Sequence, residues 1–208
     1  MRLNITSLTA NTRITTRAIL NTALKHKWYV AGAAGLATLL FSRKTVPAKL
    51  DYITNNQRAD WFGPITFISA PTDNNPEGIR IINDFENRNI IRKTFPIIGI
   101  ASIHKEVAPS LEEALKEIER KGWSNKIKTF EGGYYPRFVR NSRINLSSHS
   151  YGTAVDINAA SNPQGNNALP DQYDIDSVMK KHGWYWGINF PTVDPHHWEY
   201  VIKPKGII

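Results

Sequence analysis

Any fold this chain adopts has to bring together two stretches that lie far apart along it. The first, residues 147–158, reads Ser-Ser-His-Ser-Tyr-Gly-Thr-Ala-Val-Asp-Ile-Asn and sets His149 seven positions before Asp156, with Gly152 between them. The second, residues 194–200, reads Asp-Pro-His-His-Trp-Glu-Tyr. A catalytic zinc is held by three side chains and keeps a fourth position open. His149, Asp156 and one of His196 and His197 supply two imidazoles and a carboxylate of that kind. The alternation in residues 153–157 predicts a strand that points Asp156 to one face. Gly152 permits the tight turn that brings His149 back beside it. Asp194 lies three residues before His197, and across a turn made by Pro195 its carboxylate can stand near a metal without binding it. A general base belongs there. The Asp-x-x-His unit so formed selects His197 over His196.

The chain has no cysteine. Disulfides and thiolate zinc sites are excluded, so any metal must be held by His and carboxylate. His26 and His104 have no evident partners and read as structural, and His182, beside Lys180 and Lys181, reads as solvated. Asp171, Asp174 and Asp176 lack the spacing and glycine of a calcium loop and read as residues of a helix start.

The net charge of +8 would suggest nucleic acid, but its distribution does not. Eight of the 26 Lys and Arg lie in residues 1–50, where there is no acid, and the 18 that follow match the 18 Asp and Glu. The body of the chain is neutral, and no nucleic-acid partner is expected. Within the basic segment an uncharged run, residues 28–42, opens with Trp28 and Tyr29 and is bounded by Lys27 and Arg43. Its fifteen residues are fewer than the roughly 20 of a full helical span, although snorkelling cations and interfacial aromatics extend its reach. A signal peptide, a transit peptide and an uncleaved anchor compete for this segment. The anchor is favoured, with residues 1–27 as a basic segment and residues 43–60 as a linker. The five cations before the run and three after it point the C-terminal domain to the exterior, cell-wall side.

From residue 61 the pattern is that of a folded domain. Residues 79–83 and 92–103 are rich in β-branched side chains and predict strands, with Pro96 limiting pairing in the second. Ser110 and Glu113 have the spacing of a capping box. Leu111, Ala114, Leu115 and Ile118 repeat behind it at helical spacing until Gly122. Further elements are expected as a strand over 126–130, a helix over 174–181 stopped by Gly183, and a last strand over 197–202. Without βαβ regularity the class is α+β, a small antiparallel sheet with flanking helices plus the N-terminal apolar helix.

The motif Ser147-x-His149-x-x-Gly152-x-Ala154-x-Asp156-Ile157, followed by Asp194-x-x-His197-Trp198-Glu199, resembles the VanY-type D-alanyl-D-alanine carboxypeptidases. That family of zinc peptidases includes the phage L-alanyl-D-glutamate endolysins. The resemblance extends to residues 107–111, 132–137 and 183–187. It implies a hedgehog-like fold, a Zn2+ cofactor and peptidoglycan stem peptides as substrate. It further implies His149, Asp156 and His197 as metal ligands and Asp194 as general base. Arg137, with Arg140 and Arg143 close by, would polarise the scissile carbonyl. Ser147 would lie in the substrate cleft, and Tyr135 and Trp186 are aromatics suited to wall it. Two other functions compete. One is a non-catalytic, zinc-bearing wall-binding module. The other is a holin-like membrane-active protein whose C-terminal domain is a passenger.

Overall fold

Short β-branched runs broken by Gly, Pro and Asn can form only short strands, and these pair with antiparallel neighbours. The computed structural model describes residues 49–205, and among them the strands make three small antiparallel sheets. β1 (Phe67–Ser69) pairs with β2 (Ile79–Ile81), and β3 (Ile90–Phe95) with β4 (Gly99–His104). The third sheet has the order β5 (Phe130–Gly132), β6 (Ala154–Ile157), β8 (His197–Tyr200), β7 (Trp184–Trp186). Four helices accompany them: α1 (Asn55–Phe62), α2 (Phe85–Asn89), α3 (Ala108–Arg120) and α4 (Pro170–Met179). The result is mixed α and β with small antiparallel sheets, as the sequence predicts. The apolar helix expected over residues 28–42 lies outside the described residues, as does the basic segment 1–27. Among the described residues no helix is long and apolar enough to cross a membrane.

The apolar repeat of α3 does what its spacing predicts, since Leu111, Ala114, Leu115 and Ile118 are all buried. Its start differs. The helix begins at Ala108 with Pro109 in its first turn, and no side chain caps it. The Ser110 hydroxyl is used elsewhere, donating to His182 O (2.5 Å) and accepting from Trp184 Nε1 (3.1 Å). A tertiary bond has displaced the capping box. The strand expected over 92–103 is a hairpin whose turn contains Pro96, a residue with no N–H to give to a ladder. The strand expected over 126–130 starts only at Phe130. The amides of Lys128 and Thr129 bond the Asn158 side chain rather than a neighbouring strand. α4 starts earlier than expected because Pro170 suits a first turn. A 3-10 turn then carries the chain to Gly183, whose φ of 89° ends it.

Residues 43–60, expected as a linker, include most of α1, which runs on to Phe62. Thr54 and Gln57 cap it reciprocally, and Ile53, Arg58 and Phe62 are buried. The folded domain therefore begins before residue 61. On β8 successive side chains alternate in direction. Trp198 and Tyr200 pack into the core, Trp198 stacking on Trp186 at 5.7 Å and 6°, while His197 and Glu199 share the opposite face.

Candidate metal centre

The four-stranded sheet brings the two distant stretches into register. Asp156 on β6 is the direct cross-strand partner of His197 on β8. His149 arrives from the 3-10 turn Ser148–Tyr151, which Ser147 caps by accepting the His149 amide (3.4 Å) and Gly152 closes at φ 65°. A Cβ at position 152 would lie 2.8 Å from both His104 N and Ile90 Cδ1, so the turn requires glycine.

Three side chains converge. His149 Nε2 lies 3.2 Å from Asp156 Oδ2 and 3.2 Å from His197 Nδ1, and His197 Nδ1 lies 2.8 Å from Asp156 Oδ1. Tetrahedral zinc bonds of 2.0–2.1 Å place neighbouring ligand atoms roughly 3.3 Å apart. The donor set and its spacing fit zinc. Both imidazoles are oriented from behind. His149 Nδ1 donates to Gly133 O (2.7 Å), which leaves Nε2 facing the centre. The Nε2 of His197 lies 3.2 Å from Glu199 Oε1, leaving Nδ1 to face it. Such outer partners fix the tautomer of a metal-binding His.

Without a metal the group is an ion cluster. Burial opposes charge on Asp156, but His149 and His197 outweigh it and hold this carboxyl well below its usual range. Burial likewise disfavours a charged His197, yet the hydrogen bonds it donates to Asp156 and Glu199 push it up to about 10. Glu199, against the cost of burial, is drawn down to about 2 by Arg58 and His197. A proton thus stands where a cation would, and metal binding should expel it. Both shifts tie the stability of the fold to pH. The stabilisation from His197 is complete below its unfolded value of 6.5 and is lost as pH rises towards about 10. That from Glu199 is present above 4.5 and is lost as pH falls towards about 2. Calorimetry of the metal-free protein should show its melting temperature falling between pH 7 and pH 10. With zinc bound, that alkaline fall should be absent.

Asp194 sits on the turn ahead of β8. Its amide bonds Gly187 O (2.9 Å) and its carbonyl accepts from His197 N (3.2 Å). Gln164 Nε2 donates to Asp194 Oδ2 (3.1 Å), and Arg140 Nη1 in turn donates to Gln164 Oε1 (3.2 Å). Oδ1 is buried with no hydrogen bond. His196 Nδ1 is 3.1 Å from it but donates instead to Asn162 O at 2.8 Å. Burial raises the Asp194 carboxyl from its ordinary value. The turn also depends on Gly187, because a Cβ there would lie 2.5 Å from Asp194 O. Gly187→Ala should displace Asp194 most, with His197 O, 3.2 Å from the added Cβ, pressed less. Its expected signature is stoichiometric zinc with at least a tenfold lower turnover, measured on one purified preparation.

The other residues singled out by sequence are placed as follows. His196 is not among the three converging residues, and its Nδ1 bonds Asn162 O. Ser147 is buried in its capping role. Tyr135 is exposed, and its amide bonds His149 O (3.0 Å). Trp186, expected to wall the cleft, is buried instead, with Nε1 donating to Pro195 O (2.8 Å). Its large flat ring fills the core under the Asp194–His197 turn. Arg137 Nη1 bonds the neighbouring Phe138 O (3.3 Å), whereas Arg140 is the arginine linked to Asp194. His104 is buried and bonded to Phe62 O, a structural role as expected. His182 is partly buried against Glu117 rather than fully solvated.

Sequence reasoning missed three contributors. Glu199 could have been found from its position two residues after His197 on a strand, which puts both on one face. Arg58 carried no signal, and neither did the Asn158–Gln172 pair. Asn158 Nδ2 donates to Gln172 Oε1 (3.0 Å), and Gln172 Nε2 reaches Ile157 O (3.0 Å) and Pro195 O (2.9 Å). This ties the end of β6 to the turn before β8.

Residues 140–200 match the model of a family described as D-alanyl-D-alanine carboxypeptidase. The match spans both ligand stretches, so the resemblance drawn from their motifs is shown there. A search of curated proteins gave no match.

Proposed function

We propose that the domain is a zinc peptidase that hydrolyses peptidoglycan stem peptides. The observation that carries this reading is Asp194 Oδ1, a buried oxygen without a hydrogen bond, on a carboxylate that feels the charges of all three convergent ligand residues. A site that only bound metal would have no use for it. His149, Asp156 and His197 would hold the zinc, which when bound supplies a Lewis acid that acidifies water and polarises an amide carbonyl. Asp194 Oδ1 accepts the proton of the attacking water and later delivers it to the departing amine. Gln164 engages Oδ2 and leaves Oδ1 without a hydrogen bond. Arg137 is assigned the charge that meets the developing oxyanion, with Arg140 as the alternative, and Ser147 and Tyr135 are assigned to the cleft.

Digestion of purified peptidoglycan by the full chain, with mass spectrometry of the products, tests this. Release of D-alanine or cleaved stem peptides, abolished by a chelator and restored by zinc, is the expected result. Zinc and wall binding with no cleavage would instead establish a binding module.

Residues 28–42 are further proposed to anchor the chain, with the domain on the cell-wall side. Full-length protein should then pellet with membranes and stay there in high salt, since an apolar segment is not screened. Release by salt alone would reduce the segment to a basic tail.

A further inference from the structure

A buried ion pair lies directly behind the candidate metal centre, and one half of it comes from outside the matched region. Glu199 uses its two oxygens separately, Oε1 facing His197 Nε2 at 3.2 Å and Oε2 accepting from Arg58 Nη2 at 3.0 Å. Arg58 belongs to α1 and is 1% exposed. Its guanidinium is fixed in turn, Nη1 donating to Thr153 Oγ1 (3.0 Å) and Nη2 also to Ile53 O (3.4 Å). Thr153 Oγ1 donates to Ser148 O (3.2 Å), the residue before His149. One guanidinium is thereby bonded, through single residues, to both ligand-bearing segments. The far end of α1 is tied down as well, where Phe62 O meets His104 Nε2 at 3.0 Å.

Stability alone is a poor reason for such a pair. Taking two charges out of water is costly, and apolar residues of similar volume often serve as well or better. A carboxylate aimed at the rear nitrogen of an imidazole has a more specific use, because it fixes which nitrogen faces forward and at what angle. We infer that Arg58 and Glu199 act together as positioning residues that hold His197 Nδ1 towards the metal, making α1 part of the metal centre. The inference rests on the zinc reading given above.

The test uses the full chain and three variants, Glu199→Gln, Arg58→Met and the double change. Zinc affinity is measured by competition with a chromophoric chelator. The visible spectrum of the Co2+-substituted protein and the melting temperature of the metal-free protein are recorded alongside. Glu199→Gln should remain folded, bind zinc 10–100-fold more weakly and show an altered cobalt spectrum. Arg58→Met should melt lowest of all, because it leaves Glu199 charged and buried without its partner. The double variant should regain much of that melting temperature while its zinc affinity stays 10–100-fold down, which a merely structural pair would not do. Should Arg58→Met fail to fold, Glu199→Gln and the double variant still decide the matter. Parental zinc affinity and an unchanged cobalt spectrum in Glu199→Gln would overturn the inference. A parent chain that takes up no stoichiometric zinc would overturn it together with the metal centre. No peptide enters these measurements, so a failed peptidase reading is distinguished from a failed brace.

Discussion

Replacing Asp194 with asparagine should cut peptide hydrolysis by the roughly 10²–10⁴-fold that a general base contributes, and leave the protein folded and zinc-loaded. The contacts explain why this substitution isolates the chemistry. Asparagine matches aspartate in size and keeps an oxygen to accept from Gln164 Nε2, so the side chain need not move. Its amide nitrogen then occupies the place of Oδ1, the atom without a hydrogen bond, and cannot take a proton. The backbone bonds from Asp194 to Gly187 and His197 are untouched. Zinc content, melting temperature and turnover should be measured together. A variant that hydrolyses stem peptides at the parental rate would remove Asp194 from the mechanism.

Removing a ligand should act differently, because metal binding and stability are then lost together. His149→Ala takes away one nitrogen and leaves Asp156 with His197 alone, two ligands where three converge. The loss of zinc affinity should exceed the 10–100-fold typical of outer partners, and hydrolysis should fall to background. His197→Ala should do the same. His196→Ala should not, since that ring bonds Asn162 O and is not part of the converging group. Metal analysis after dialysis separates the three variants. Zinc retained in His197→Ala and lost in His196→Ala would shift the ligand assignment by one residue.

The parts of the site legible in the sequence are those fixed by local rules. His149 and Asp156 flank a glycine turn leading into an alternating strand, and Asp194 and His197 flank a proline turn, so each pair could be placed from short-range geometry. The helix through Leu111, Ala114, Leu115 and Ile118 was legible for the same reason, because its period is set by the helix itself. What could not be read depends on tertiary partners. Ser110 has the spacing of a cap but bonds His182 and Trp184, elements far along the chain. Trp186 has the composition of a cleft wall but stacks on Trp198 in the core. Arg58 sits in a polar run whose helix shows no apolar stripe, and only its distant partner Glu199 reveals its use.

The register of Asp156 against His197 also bears on when the metal can bind. These two residues are 41 positions apart, with α4 and β7 between them. In the unfolded chain, bringing them together means closing that loop, at a cost of about 3 kcal/mol before any bond to metal forms. The backbone ladder between β6 and β8 closes it without help from the ion. A zinc ion held there would meet a site the strands have already closed. It would have little hold on the unfolded chain, so nearly all of its binding free energy would go into keeping the folded one.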